Sequence, residues 1–213
     1  MSAYYPLFLD VKGRRCVIVG GGHEAERKAA ELAGYGASVT VVGPHATAGL
    51  QEMARRGVVD WVAKEYETGD LDGAFLAIAE NDNPNRYKQV AWEAQQRGVL
   101  LNVVDVTHLC TFIAPAVVRR GAVTIAISTS GLSPALARRL REELEDSPIL
   151  QWADMADLLA DVRQTLRSKG LHPHPQRWQE AMDTEVLYLF HAGRVQEARE
   201  LLLRRLDAQP VAS

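Results

Sequence analysis

The sequence predicts an α/β fold: a Rossmann-like, mostly parallel sheet domain, then a small α/β segment and an all-helical C-terminal tail. Three observations carry that reading. Short runs of Val, Ile and Leu alternate with helix-period segments through the first half of the chain, the pattern of βαβ winding. Those runs are continuous, as in strands buried on both faces. A triple glycine, Gly20-Gly21-Gly22, joins the first run to a helical segment.

In chain order, Arg15 to Gly20 reads as a buried strand, Ala25 to Tyr35 as a helix, and Ala37 to Gly43 as a second strand stopped by Pro44. A helix over 48–56 and an apolar run from Val58 to Ala63 follow. Ala74 to Ala79 is another short strand. Pro84 to Arg97 is a helix with Gly98 as its C-terminal cap, and Val99 to Asp105 closes the series. From Ala116 to Ser128 the pattern becomes strand, turn at Gly121, strand. Ser133 and Pro134 then fit the N-cap and first position of a helix running to about Glu145. Three helical stretches complete the chain: 149–169, 176–191 and 195–206. In the first, Ile149, Trp152, Met155, Leu159, Val162 and Leu166 share one face. These boundaries give a dinucleotide-type domain over 1–113, a small α/β segment over 114–147 and a helical domain over 148–213.

Composition narrows the function classes. The 213 residues contain 47% hydrophobic and 24% charged residues, a globular balance that excludes disorder and fibrous repeats. A net charge of −3 offers no global attraction to nucleic acid or anionic lipid, so any anion site must be local. No apolar run approaches a bilayer span, and the first residues lack the basic start of a signal peptide. Cys16 and Cys110 alone make neither a disulfide framework nor a cysteine zinc site. A reducing cytoplasm is the expected compartment.

The segment Gly20-Gly21-Gly22-His23-Glu24-Ala25 fits G-x-G-x-x-A between a strand and a helix. Gly20 permits the sharp turn, Gly22 removes the Cβ that would block a diphosphate, and Ala25 lets the helix sit close to the strand. Free amides and the helix dipole then favour phosphate. A ligand-free tight turn would use the same residues. The second strand ends Val42-Gly43-Pro44-His45, without the acid that grips ribose hydroxyls or an arginine for a 2′-phosphate; the balance leans to NAD over NADP. His23 either caps a phosphate or faces solvent.

Tyr5 to Gly22, Ala25-Glu-Arg-Lys28 and Gly36 to Val42 resemble the precorrin-2 dehydrogenase family of sirohaem biosynthesis. Asn102-Val-Val-Asp105 and Ile127 to Glu142, with its Ser133-Pro-Ala-Leu-Ala-Arg138 core, carry the same resemblance, which extends over about 4–147. The resemblance implies a stand-alone, NAD-dependent enzyme that oxidises precorrin-2 to sirohydrochlorin, without the methyltransferase domain fused to some relatives. It implies Asp105 as the catalytic acid or base, a position at a strand's carboxyl end where open α/β sheets place ligands. It maps cofactor contacts onto Gly20, Gly21, Gly22, His23, Glu24, Pro44 and His45. The turn from Ala79 to Pro84 borders the same crevice or simply starts a helix.

The implied substrate carries eight carboxylates, which makes Arg138, with Ser128 and Thr129 of a polar loop, candidates to hold it. A solvated helix face pairing Arg138, Arg139 and Arg141 with Glu142, Glu143 and Glu145 is the alternative for the arginines. Relatives often work as homodimers, and the resemblance implies a dimerisation role for 114–147. Some relatives also insert Fe²⁺ into sirohydrochlorin, yet Asp105, His108 and Cys110 lack a second cluster, so no resident metal is expected. A bifunctional enzyme that also inserts Fe²⁺ transiently, with Asp105 or His108 accepting pyrrole protons, is the runner-up activity. A non-enzymatic nucleotide sensor is the competing class; it would need the glycine turn but not Asp105.

Overall fold

The structure, a computed structural model, describes residues 4–80 and 82–207. Asn81, in the 79–84 turn, lies outside them. The described residues of Met1–Ala114 with Ser130–Leu132 form one compact unit, and those of Pro115–Thr129 with Ser133–Ser213 form a second.

In the first unit, strands β1 (Arg15–Val19), β2 (Ser38–Val42), β3 (Asp60–Val62), β4 (Leu76–Ala79) and β5 (Leu100–Val103) form a wholly parallel sheet in the order β3-β2-β1-β4-β5. Helices α1 (His23–Gly34), α2 (Ala48–Arg55) and α3 (Pro84–Arg97) provide the crossovers. The pleat explains why the strands read as unbroken apolar runs. Val17, Val19, Ala77, Ala79, Leu101 and Val103 pack with Val90 and Ala94 of α3. Cys16, Ile18, Val39, Val41, Leu76 and Ile78 pack in the other cluster, with Ala25 and Ala29 of α1 and Leu50 of α2. Each fully buried Val or Ile contributes about 1.5–3 kcal/mol. α3 starts at Asn83, whose side chain accepts from the Asn85 and Arg86 amides, and ends at Gly98 in the left-handed region (φ +66°).

Register aligns the sheet's carboxyl edge. Val19 faces Val42 on one side and Ala79 on the other, and Ala79 faces Val103. The next residues keep the alignment: Gly20 N–H donates to the Val42 carbonyl (2.9 Å), Glu80 N–H to Val19 (2.9 Å), and Val104 N–H to Ala79 (3.0 Å).

The second unit opens with an antiparallel hairpin, β6 (Ala116–Arg120) and β7 (Val123–Ile127), turning at Gly121. Helix α4 (Pro134–Glu145) packs on this hairpin, capped by Ser133, whose hydroxyl accepts from Leu136 N–H at 3.2 Å. A 3-10 stretch, Pro148–Met155, precedes α5 (Ala156–Ser168), α6 (Pro175–Ala181), α7 (Thr184–His191) and α8 (Val195–Asp207). Their core joins Met155, Leu158, Val162 and Leu166 to Ala181, Val186, Leu189, Ala198, Leu202 and Leu206. A bidentate Arg120–Asp154 pair (2.7 and 2.6 Å) ties the hairpin to the 3-10 stretch.

Two expected helices differ. The stretch 149–169 begins as a 3-10 helix, whose tighter winding breaks the 3.6-residue phase. Ile149, at the start of the 3-10 turn, is therefore exposed, whereas Trp152, Met155, Leu159, Val162 and Leu166 pack in the helical core as expected, joined there by Leu158. The stretch 176–191 is two helices. Met182 leaves helical geometry (ψ 81°), and the Asp183 carboxylate caps α7 by accepting from Glu185 and Val186 N–H, both at 3.1 Å.

Candidate functional site

In a parallel sheet, ligands sit beyond the carboxyl ends of the strands where the winding reverses. Here β1 is followed in space by β2 on one side and β4 on the other, so the reversal lies between β1 and β4. Gly20 leaves β1 with φ +127°, a conformation closed to side chains. Gly21 packs directly on the loop after β2: an added Cβ would stand 1.8 Å from the His45 carbonyl oxygen. Thr47 N–H donates to the Gly21 carbonyl at 3.0 Å, joining the two loops. Gly22 is the N-cap of α1 and supplies no capping side chain.

The amides left open by that cap are taken by an anion from across the crevice. Glu80, the first residue after β4, accepts from Gly21 N–H (3.0 Å) and Gly22 N–H (3.1 Å) through Oε2, and from Ala25 N–H (3.1 Å) through Oε1. Three backbone donors thus converge on one half-buried carboxylate, reinforced by the positive end of the α1 dipole. That carboxylate shows that the loop's donors fit an oxyanion. Ala25, almost fully buried, gives the close strand–helix packing expected of its position.

The remaining residues of the expected cofactor set cluster at the same edge. Pro44 is half-buried and His45 exposed in the loop that touches Gly21, and His23 is exposed at the first turn of α1. Glu24 pairs with Arg27, whose hydrogen bond holds its carboxyl below the usual range. The Glu26 carboxylate of α1 accepts from the Thr47 hydroxyl, beside the β2–α2 loop.

Asp105 follows β5, two strands from β1 and about 10 Å along the sheet edge at the usual strand spacing. It adopts φ +57°, which only glycine, Asn and Asp visit readily. Its side chain is exposed and has no hydrogen bond or ion pair among the described residues. His108 is exposed in the short 3-10 turn Thr107–Leu109. Cys110 points inward: its sulfur accepts from Val103 N–H at 3.2 Å, and burial pushes its thiol pKa up. Among the described residues no group of three His, Cys, Asp or Glu is placed to hold a metal ion.

Ser128, Thr129 and Arg138 belong to the second compact unit, whereas the glycine loop and Asp105 belong to the first. Ser128 is exposed. The Thr129 hydroxyl donates to the Ser133 carbonyl and accepts from its N–H, each at 3.1 Å, so it braces the start of α4. Arg138 pairs with Glu142 at 2.8 Å, Arg139 with Glu143, and Arg141 with Glu145 at 2.7 Å, a ladder of i,i+4 ion pairs on an exposed helix.

Two family models cover this architecture. Residues 7–116, the sheet and its loops, match the family described as "Putative NAD(P)-binding". The chain belongs to this family. Residues 120–147 match the sirohaem biosynthesis protein central family. Among curated relatives, the siroheme synthase of Methylococcus capsulatus is 38% identical over 207 residues, spanning 96% of this chain and 44% of the relative. That of Photobacterium profundum is 38% identical over 202 residues (94% and 43%), and that of Pseudomonas entomophila 37% over 212 residues (98% and 45%). The chain therefore spans less than half the length of these relatives. The solved structure of SirC, a precorrin-2 dehydrogenase, superposes with a TM-score of 0.76 at 24% identity, covering 94% of this chain and all of that one. The fold is the same. No helix among the described residues is long and apolar enough to cross a membrane.

Proposed function

We propose that this NAD(P)-binding chain is an NAD-dependent precorrin-2 dehydrogenase acting in sirohaem synthesis. The observation that carries the reading is the convergence of three loop amides on an oxyanion at the β1/β4 crevice, with an unpartnered carboxylate on the same sheet edge. Kinship to siroheme synthases and the fold shared with a precorrin-2 dehydrogenase support the choice of substrate.

In this reading the amides of Gly21, Gly22 and Ala25 hold the diphosphate, and the Pro44–His45 loop flanks the cofactor, with His23 and Glu24 at its rim. NAD⁺, when bound, supplies the hydride acceptor. Conversion of precorrin-2 to sirohydrochlorin removes a hydride and a proton. Asp105 takes that proton: its carboxylate is exposed, unencumbered by ion pairs and fixed at the sheet edge. Glu26 beside the β2–α2 loop disfavours a 2′-phosphate and favours NAD⁺. Ser128 and Arg138 are the groups offered to the substrate's carboxylates, Arg138 by exchanging Glu142 for a substrate carboxylate, and Thr129 joins them only by giving up its hydrogen bond to the Ser133 carbonyl. The segment 114–147 forms a homodimer surface: α4 buries none of its side chains, and Leu136 and Leu140 are exposed on it. The two free cysteines fit a reducing, cytoplasmic setting.

Anaerobic incubation of the purified chain with precorrin-2 tests the reading. One NADH per sirohydrochlorin, formed only when NAD⁺ is present, supports it. NAD⁺-independent turnover, or none, refutes it.

A further inference from the structure

The family's cofactor site contains an occupant from the chain itself. The Glu80 carboxylate makes three hydrogen bonds of 3.0–3.1 Å to the loop amides of Gly21, Gly22 and Ala25. Added Cβ atoms at Gly20 and Gly22 would fall 2.2 and 2.7 Å from its oxygens, so the pocket cleared by those two glycines is filled by this side chain. A carboxylate carries a full negative charge, and its hydrogen bonds to amides at a helix start are of the strong, charge-assisted kind. A diphosphate needs the same donors and brings further negative charge, so both cannot occupy the loop.

We propose that Glu80 is a displaceable internal competitor for the glycine loop, and that it sets the affinity for the dinucleotide. The inference rests on the cofactor site assigned above and goes beyond it by assigning a residue that weakens binding there. In the ligand-free protein Glu80 caps α1 from across the crevice and keeps the amides aimed inward. Cofactor binding swings its flexible side chain out, and the loss of its three bonds is subtracted from the affinity. The effect is selective for anions that reach the loop; ligands bound elsewhere do not feel it.

Glu80→Gln keeps the shape and removes the charge, and Glu80→Ala removes the competitor. The test is calorimetric titration of wild type and both variants with NAD⁺ and, separately, with inorganic diphosphate, alongside thermal melts with and without each ligand. The proposal expects Kd for both ligands to fall by tenfold or more in the Ala variant and by less in the Gln variant. It also expects a lower melting temperature without ligand and a larger ligand-induced rise. A permanent structural cap gives a different pattern, a lower melting temperature with unchanged or weaker binding of both ligands, and that result overturns the proposal. If diphosphate tightens while no protein binds NAD⁺, the competitor stands and the dehydrogenase reading falls. If NAD⁺ binds wild type and variants alike, the dehydrogenase reading stands and the competitor falls.

Discussion

Replacing Gly21 by Ala adds one methyl group where the structure leaves no room. The new Cβ would lie 1.8 Å from the His45 carbonyl oxygen and 3.2 Å from the Ala46 Cα. Both belong to backbone, which cannot rotate away as a side chain would. The loops after β1 and β2 must separate by about 1.2 Å before the contact reaches even 3.0 Å. That movement stretches the Thr47–Gly21 hydrogen bond from 3.0 Å past its useful range. Overpacking costs about 1–3 kcal/mol and the lost hydrogen bond about 1 kcal/mol, a destabilisation of roughly 2–4 kcal/mol. In a domain of this size that lowers Tm by roughly 5–15 °C. The loop that opens carries the oxyanion donors, so NAD⁺ affinity falls with stability. Gly34→Ala is the control: Gly34 ends α1 with nothing within 4 Å of its added Cβ, and the change stabilises by about 0.5–1 kcal/mol. Differential scanning fluorimetry and NAD⁺ titration read both. A Gly21→Ala protein with wild-type Tm and wild-type Kd would refute the packing assigned to this loop.

Three further outcomes follow from the same geometry. Asp105→Asn, which tolerates the same φ of +57°, lowers turnover by roughly 10²- to 10⁴-fold while leaving the Kd for NAD⁺ unchanged; wild-type turnover would remove Asp105 from the chemistry. Glu93 is buried; burial pushes its carboxyl up, but the Tyr66 hydroxyl, the Gly69 amide and Arg97 outweigh burial and hold its pKa below the ordinary 4.5. Its stabilisation is therefore complete above about pH 4.5 and lost as pH falls through the lower folded value. Glu93→Gln costs about 1–3 kcal/mol at pH 7 and flattens the acid limb of a stability–pH curve measured by urea unfolding. Leu136→Lys with Leu140→Lys disturbs no core of the single chain, since neither side chain is buried in it, but shifts the sedimentation coefficient from dimer to monomer and makes Tm independent of protein concentration; an unchanged dimer coefficient would place the dimer surface elsewhere.

The fold was legible wherever one periodicity governed an element from end to end. Continuous apolar runs such as Cys16-Val-Ile-Val19 mark strands covered on both faces, and Ser133-Pro134 and Gly98 mark helix ends by their own chemistry. Where winding changes within an element the pattern misleads: the 3-10 stretch 148–155 leaves Ile149 exposed, and the Asp183 cap divides what reads as one helix. In the site, the glycine turn announces itself because turn, close approach and helix start each demand a small residue at fixed spacing. Glu80 does not. Its partners lie 55 to 59 residues away across two strands, and only the β1–β4 register brings them together. Glu26 is similar: its partner Thr47 lies 21 residues away, in the loop after β2. The left-handed backbone of Asp105 is likewise a property of the assembled turn, since aspartate is common in ordinary turns too. Thr129, read as a substrate contact, has local work at the start of α4 that a Ser-Thr-Ser sequence does not advertise.

The central claim is that the nucleotide's diphosphate is gripped by the amides where β1 turns into α1. Backbone amide NMR of the uniformly ¹⁵N-labelled chain, titrated with NAD⁺, addresses it residue by residue. The account predicts saturable shifts concentrated at Gly21, Gly22 and Ala25, with Glu80 responding at the same midpoint and α5 to α8 unmoved. Shifts centred on the helical unit, or a glycine loop that stays silent at saturation, would contradict it.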